Sequence, residues 1–156
     1  MYGTLETVLL ITATLGSALI AGVFYAFSTF VMGALKRLPS EQGIAAMQSI
    51  NIVVINVWFL GAFFGTGIVS VGVLALLLKG PISVFAMGGT GVYLIGCLLV
   101  TMFFNVPLND RLADVAPDSA EGHKVWNQYL TKWVFWNHVR TLASLVASGL
   151  FLAALV

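Results

Sequence analysis

The chain has 156 residues, 60% of them hydrophobic and only 8% charged, and a formal net charge of +1. A soluble domain carries about 25% charged residues, so this one cannot cover a water-facing surface and lipid must solvate much of it. A net charge so near zero offers no basic field for nucleic acid and no acidic field for cationic partners, so no nucleic-acid partner is expected.

Four stretches are long enough to cross a hydrocarbon core of about 30 Å, which takes about 20 helical residues. They are 5–35, 52–78, 82–104 and 133–156. The expected fold class is all-α: an antiparallel four-transmembrane-helix bundle, with short amphipathic helical extensions in its two long loops. Residues 1–156 then form a single integral membrane domain. The first stretch has no Lys or Arg before it and stays apolar for nearly thirty residues, too long for the core of a signal peptide. It reads as a retained helix. In the loop that follows, Leu38-Pro39-Ser40 is a turn signal, and Ser40 is expected to cap a helix starting at Glu41 and running into the second span. Lys79-Gly80-Pro81 breaks the chain between the second and third spans, which makes them a hairpin.

Pro107 is expected to disrupt the end of the third span. Asp118-x-x-Glu121 resembles a capping box, and the residues after it, through Trp126 and Tyr129, should lead helically into the fourth span. Gly16, Gly22, Gly61, Gly65 and Gly72 lie within spans, where small residues let helices approach closely. Gly61 to Gly65 also has the spacing of a dimerisation motif, so a homo-oligomer stays open beside an internal contact. Cys97, the one cysteine, reads as a small packing residue. The long loops carry Lys36, Arg37, Arg111, Lys124 and Lys132, against Lys79 on the other side. By the positive-inside rule the long loops are cytoplasmic and both termini outside.

Polar groups gather at the long-loop side. Tyr25, Ser28 and Thr29 lie about two turns inside Lys36; Asn51 begins the second span, Asn105 ends the third, and Asn137, His138 and Arg140 come early in the fourth. At about 100° per residue, Trp126, Trp133, Asn137, Arg140, Thr141, Ser144 and Ser148 fall on one stripe, with His138 at its flank. A polar stripe on a membrane helix faces protein or water, because unsatisfied polar groups in lipid cost several kcal/mol. Sixteen residues follow Arg140, about 24 Å of helix at 1.5 Å per residue, so it starts inside the hydrocarbon edge. It either snorkels to the interface or points into a polar cavity, and its company on the stripe favours the cavity.

The other polar residues keep two readings each. His138 is a general base near neutral pH or an interfacial hydrogen-bonding residue. Asn105 and Asn109 either offer amides to an anionic group or satisfy carbonyls freed by Pro107. The tryptophans read mainly as an aromatic belt, although Trp133 lies on the stripe and can wall a pocket. His123, His138, Glu41 and Asp110 lack ligand spacing, and no metal site is expected.

Four segments resemble one family. Phe24-Tyr25-Ala26-Phe27-Ser28 with Val31-Met32, Ala46-Met47-Gln48-Ser49-Ile50-Asn51, Phe104-Asn105-Val106-Pro107-Leu108-Asn109, and Trp133 with Trp136-Asn137-His138-Val139-Arg140-Thr141 are similar to the anthrone-oxygenase-like family of small membrane proteins. Gly33 stands where that pattern has a proline after Val-Met. The resemblance covers nearly the whole chain and implies, for some members, cofactor-independent oxidation of anthrones to anthraquinones by dioxygen. It also implies the plasma (inner) membrane of a bacterium. On that reading His138, Arg140 and Asn137 are catalytic: His138 forms the anthrolate anion, and Arg140 with the asparagines stabilises its charge. Tyr25, Thr29, Asn51, Asn105, Asn109, Trp133 and Thr141 bind the lipophilic anthrone- or quinol-like substrate, and no cofactor is needed. The rival reading is a small-molecule binding or export protein without catalysis, since a shared fold does not fix a shared reaction.

Overall fold

The computed structural model describes residues 3–77 and 83–156, and among them the chain forms five helices and no strand. They are α1 (Thr4–Lys36), α2 (Ser40–Val53), α3 (Val57–Leu77), α4 (Val84–Ala113) and α5 (Ala120–Ala153). By length and composition α1, α3 and α4 can each cross a membrane. In α5, by contrast, Asn137, His138 and Arg140 dilute the apolar run. The hairpin expected at Lys79-Gly80-Pro81 lies outside the described residues.

Several expected boundaries move. α2 does not run into the second membrane helix: the chain breaks at 54–56, and α3 begins five residues later than expected. Asn56 makes the break. Its Oδ1 accepts from the backbone N–H groups of Trp58 and Phe59, at 3.0 Å each, and its Nδ2 donates to the Val53 carbonyl at 2.8 Å. An asparagine in that position satisfies the orphan donors of a helix start. Ser40 is itself the first helical residue of α2, Pro39 holds the cap position and no side chain caps it. At α5 the cap is Ser119 rather than Asp118, with Ser119 Oγ accepting from the Gly122 N–H at 2.9 Å.

Pro107 does not end α4, which runs on to Ala113. Proline in a helix interior removes one N–H and crowds the carbonyl four residues back. Here the helix widens into π-type turns at Leu94–Leu99 and Thr101–Asn105, just before that proline, and the wider turn makes room. A third π-type turn, Phe27–Val31, interrupts α1. Such bulges often mark functional positions in helices, and two of these three flank the candidate site.

α1 packs against α3 and α5, and α4 packs against α5 and α3. Two of the approaches need glycine. A Cβ at Gly16 would collide with Thr66 Oγ1, and one at Gly96 would lie 2.6 Å from Ala143 Cβ. Gly22, Gly61, Gly65 and Gly72 have nothing within 4 Å of such a Cβ. A side chain there would meet no neighbour, so no close internal approach depends on glycine at these four positions.

The apolar interior divides in two. One cluster, toward the chain termini, gathers Leu10, Ile20, Phe24, Phe63, Tyr93 and Phe151; the other, under the long loops, gathers Met32, Ile44, Met47, Leu112, Trp126 and Trp133. Outward faces are apolar too. Leu5, Val8, Ile11, Leu15 and Leu19 line an exposed face of α1, and Phe135, Leu142 and Leu145 are exposed on α5. Contiguous apolar surface of that extent is unfavourable in water and suits lipid.

Candidate functional site

The buried polar groups lie at the seam between the two apolar clusters. On α5, Trp126, Trp133, Asn137, Arg140, Thr141 and Ser144 are all buried, and Ser148 Oγ donates to the Thr14 carbonyl at 3.1 Å. The stripe therefore faces protein along its length. Arg140 is 5% exposed. Its Nη2 donates to Asn137 Oδ1 at 2.7 Å and its Nη1 to Thr101 Oγ1 at 3.2 Å. The guanidinium carbon stands 4.1 Å from the centre of the Phe24 ring and 5.2 Å from that of Trp133, one ring from each cluster. Stacking on aromatic faces favours a desolvated guanidinium. Among the described residues no carboxylate pairs with it; the ion pairs there are the exposed contacts of Glu121 with Arg111 and Lys124.

Asn137 holds the group in place. Its Nδ2 donates to the Phe24 carbonyl and to Ser28 Oγ, at 2.8 Å each, while its Oδ1 takes the arginine. The π-type turn of α1 puts Ser28 within 3.0 Å of Thr141 Oγ1, and Thr141 donates back to the Asn137 carbonyl at 2.8 Å. Thr101, on the edge of the α4 bulge, donates to the Cys97 carbonyl at 2.8 Å and leaves its oxygen to accept from Arg140.

Arg140 reaches a cavity of about 790 Å³, a size that suits a drug-sized flat molecule. Phe24, Phe27, Phe59, Phe63, Phe64 and Trp133 give it aromatic walls, and Thr101, Asn51, Gln48, Asn109 and Asp110 give it polar points. Phe59 and Phe63 stack with their ring centres 5.7 Å apart, and Phe24 meets them edge-on. Three buried donors on its lining lack any partner: Arg140 Nε, Trp133 Nε1 and Asn51 Nδ2. A buried donor left unpaired costs about 1–3 kcal/mol, more when charged. All three belong to residues that line one space, which makes that space the candidate place for a ligand with acceptor atoms.

The residues singled out from the sequence divide between two places. Arg140, Asn51, Asn109 and Trp133 line the cavity. Asn137 stands behind Arg140. Asn105 is fully buried, its Nδ2 donating to the Trp133 carbonyl at 3.2 Å and its Oδ1 unpaired. Tyr25, Thr29, His138 and Thr141 line a separate, shallow groove of about 260 Å³ on the outside, between α1 and α5. There His138 is exposed, and Tyr25 is 56% exposed. The separation follows from helix geometry, since residues two apart point about 200° from each other, so His138 and Arg140 cannot share a face. Asp110, the cavity's one carboxylate, stood out in the sequence only as a residue without metal-ligand spacing, and Phe59, Phe63 and Phe64 not at all, because a charge near a loop and phenylalanines at apolar spacing look like ordinary surface and core.

Over the cavity, Tyr129 Oη donates to Asn109 Oδ1 at 2.7 Å. Burial pushes the Tyr129 phenol well above its ordinary range, so it stays a neutral donor at any working pH. Trp126, Tyr129 and Trp133 stack in a ladder, with ring centres 5.8 and 5.4 Å apart.

A chain whose described residues are all helical, with three helices of membrane-spanning length and composition and a buried arginine beside an aromatic-walled cavity, has the build of a membrane protein. The family model described as anthrone oxygenase matches residues 55–150, and the chain belongs to the anthrone oxygenase family. No curated protein and no solved structure matches it.

Proposed function

We propose that the protein is a membrane-embedded, cofactor-independent oxygenase of a lipophilic anthrone- or quinol-like aromatic, bound in the cavity against Arg140. The observation that carries this is the buried Arg140, stacked on Phe24 and Trp133 with no carboxylate in ion-pair distance among the described residues, on the lining of one aromatic-walled cavity. Family membership supports an oxygenase-like activity. On this reading α1, α3, α4 and α5 all cross the bilayer as an antiparallel four-helix bundle, a single domain. The long loops lie in the cytoplasm and the termini outside, in the inner membrane of a bacterium.

The chemistry starts with loss of the acidic ring C–H proton of an anthrone, which leaves a delocalised anthrolate. Its negative oxygen accepts from the orphaned donors, and the charge of Arg140, lacking a counter-ion, strengthens that contact in a water-poor site. The proton leaves to Asp110 or to water at the cavity mouth. The anion supplies an electron to dioxygen, and recombination forms a carbon–oxygen bond and a peroxide that takes up a proton. Loss of the second ring proton then breaks the O–O bond, giving the quinone carbonyl and water. One anthrone and one dioxygen are consumed for each quinone and water formed. The protein's part is to hold and stabilise the anion, while the anion itself is the reductant.

The direct test is dioxygen uptake by the purified protein in lipid nanodiscs on adding an anthrone. Uptake and quinone formation in equal amounts, above the spontaneous rate, are expected; uptake no faster than in empty nanodiscs would remove the oxygenase reading. Within that assay His138→Phe should keep turnover within about twofold of the parent, because its ring faces the outer groove and touches nothing in the cavity. A loss of about 10²-fold, the usual scale of a general base, would return His138 to the mechanism.

A further inference from the structure

The cavity opens sideways. α3 packs against residues 84–99 of α4, and no comparable packing joins it to the rest of α4. The cavity lies where the two helices part, and its lining includes Phe64 of α3 with Ile52 and Ile55 just before that helix, and Met102 and Val106 of α4. All five are large and apolar, and they are 40–73% exposed. Met102 lies eight residues before Asp110 on α4, about 12 Å along the helix at 1.5 Å per residue. One end of the slit is thus polar and near the loops, while the other reaches into the depth of the apolar faces.

The loop side is tied down by comparison. Gln48 Nε2 donates to the Leu112 and Val115 carbonyls at 2.8 and 3.0 Å, which fixes α2 to the end of α4. The Tyr129–Asn109 bond ties α5 to α4, beside the Trp126–Tyr129–Trp133 stack that runs along α5. A large flat molecule entering from water would have to break these ties. One dissolved in the hydrocarbon needs only to pass between exposed apolar side chains, which costs little desolvation.

The geometry points to a lateral portal between α3 and α4 through which the cavity takes its ligand directly from the bilayer, with Phe64 and Met102 at its rim. The ligand class is a planar hydrophobe that partitions into acyl chains and carries one acidic oxygen for the donors around Arg140. The portal rests on the membrane reading above and leaves the chemistry open.

The test uses wild-type protein in nanodiscs containing a phospholipid with a diazirine near the end of its acyl chain. After irradiation, adducts are mapped by peptide mass spectrometry. Phe24 and Phe63 are 4% and 3% exposed, and Leu10 and Phe151 are 0% exposed; the first pair lines the cavity and the second does not. Adducts are expected on Phe24 and Phe63 and not on Leu10 or Phe151. Met102→Trp, by filling the rim, should cut the cavity adducts about tenfold while those on outward-facing Leu15 stay constant. Cavity walls labelled only by a water-soluble diazirine would overturn the portal. So would walls left unlabelled by lipid, as when a second copy of the chain covers the slit, or wall labelling that ignores Met102→Trp. If that variant does not fold, the wild-type pattern decides alone. The readout contains no turnover, so a portal without anthrone oxidation, or oxidation without a portal, is seen as such.

Discussion

Replacing Arg140 with methionine is expected to abolish turnover and, at the same time, to raise the melting temperature. The two effects have one origin. Arg140 is buried, stacked on Phe24 and held by Asn137 and Thr101, yet among the described residues no carboxylate lies within ion-pair distance of it. Removing a charge from water without a counter-ion costs several kcal/mol; insertion scales give about 2.5–3.5 kcal/mol for an arginine at the centre of a membrane helix, an upper bound for one nearer the hydrocarbon edge. Methionine of similar reach removes that cost. It strands Asn137 Oδ1, a neutral acceptor, at about 1–3 kcal/mol, and leaves Thr101 with its bond to Cys97. The charge term is the larger, so the balance favours a gain of about 1–2 kcal/mol, or roughly 2–8 °C at 2–4 °C per kcal/mol. Turnover moves the other way. Losing one well-placed donor to a developing oxyanion lowers kcat by about 10²–10³-fold, and here the charge goes with it. Thermal unfolding followed by tryptophan fluorescence, beside dioxygen uptake on the same preparation, reads both. A variant that loses turnover and melts earlier would mean that Arg140 is structural; one that keeps turnover would take the anion out of the cavity.

The residues around Arg140 were unequally legible in the sequence. The stripe on α5 follows from the 100° step of the helix and required only periodicity. Periodicity also held the answer for His138, which sits two residues from Arg140 and therefore on the other side of the helix. Chemistry made His138 attractive as a base, and geometry takes it out of the cavity. Boundaries were less legible because they depend on local competition. Asn56 outbids a continuous α2–α3 helix by capping Trp58 and Phe59. Pro107 is absorbed by a π-type turn upstream, a rearrangement that no propensity scale encodes. Gly61 and Gly65 read as packing residues because the sequence does not say which face of α3 meets a neighbour. The cavity itself is a gap between helices, defined by where α3 and α4 part, and no single residue announces it.

Asn137→Leu is the variant expected to separate positioning from charge. Leucine matches asparagine in bulk closely enough to avoid a large void, so its effect is the loss of hydrogen bonds. The Phe24 carbonyl at the lip of the π-type turn, Ser28 Oγ and Arg140 Nη2 each lose a partner. Unpaired buried groups cost about 1–3 kcal/mol each, more for the charged one, so the melting temperature should fall by several degrees, opposite in sign to Arg140→Met. With its fork released, the guanidinium loses its hold on the position proposed for it beside the anion, and a misplacement of about 1 Å costs on the order of 10²-fold in rate. That loss should lie in kcat, since the aromatic walls that bind the flat ring are untouched. The double variant carries the decisive information. Much of the cost of Asn137→Leu is an orphaned guanidinium, so adding Arg140→Met should restore part of the lost stability, a coupling of about 1–3 kcal/mol between residues in one network. Additive effects would mean that the 2.7 Å bond between them contributes nothing, and that Asn137 serves only to tie α5 to α1.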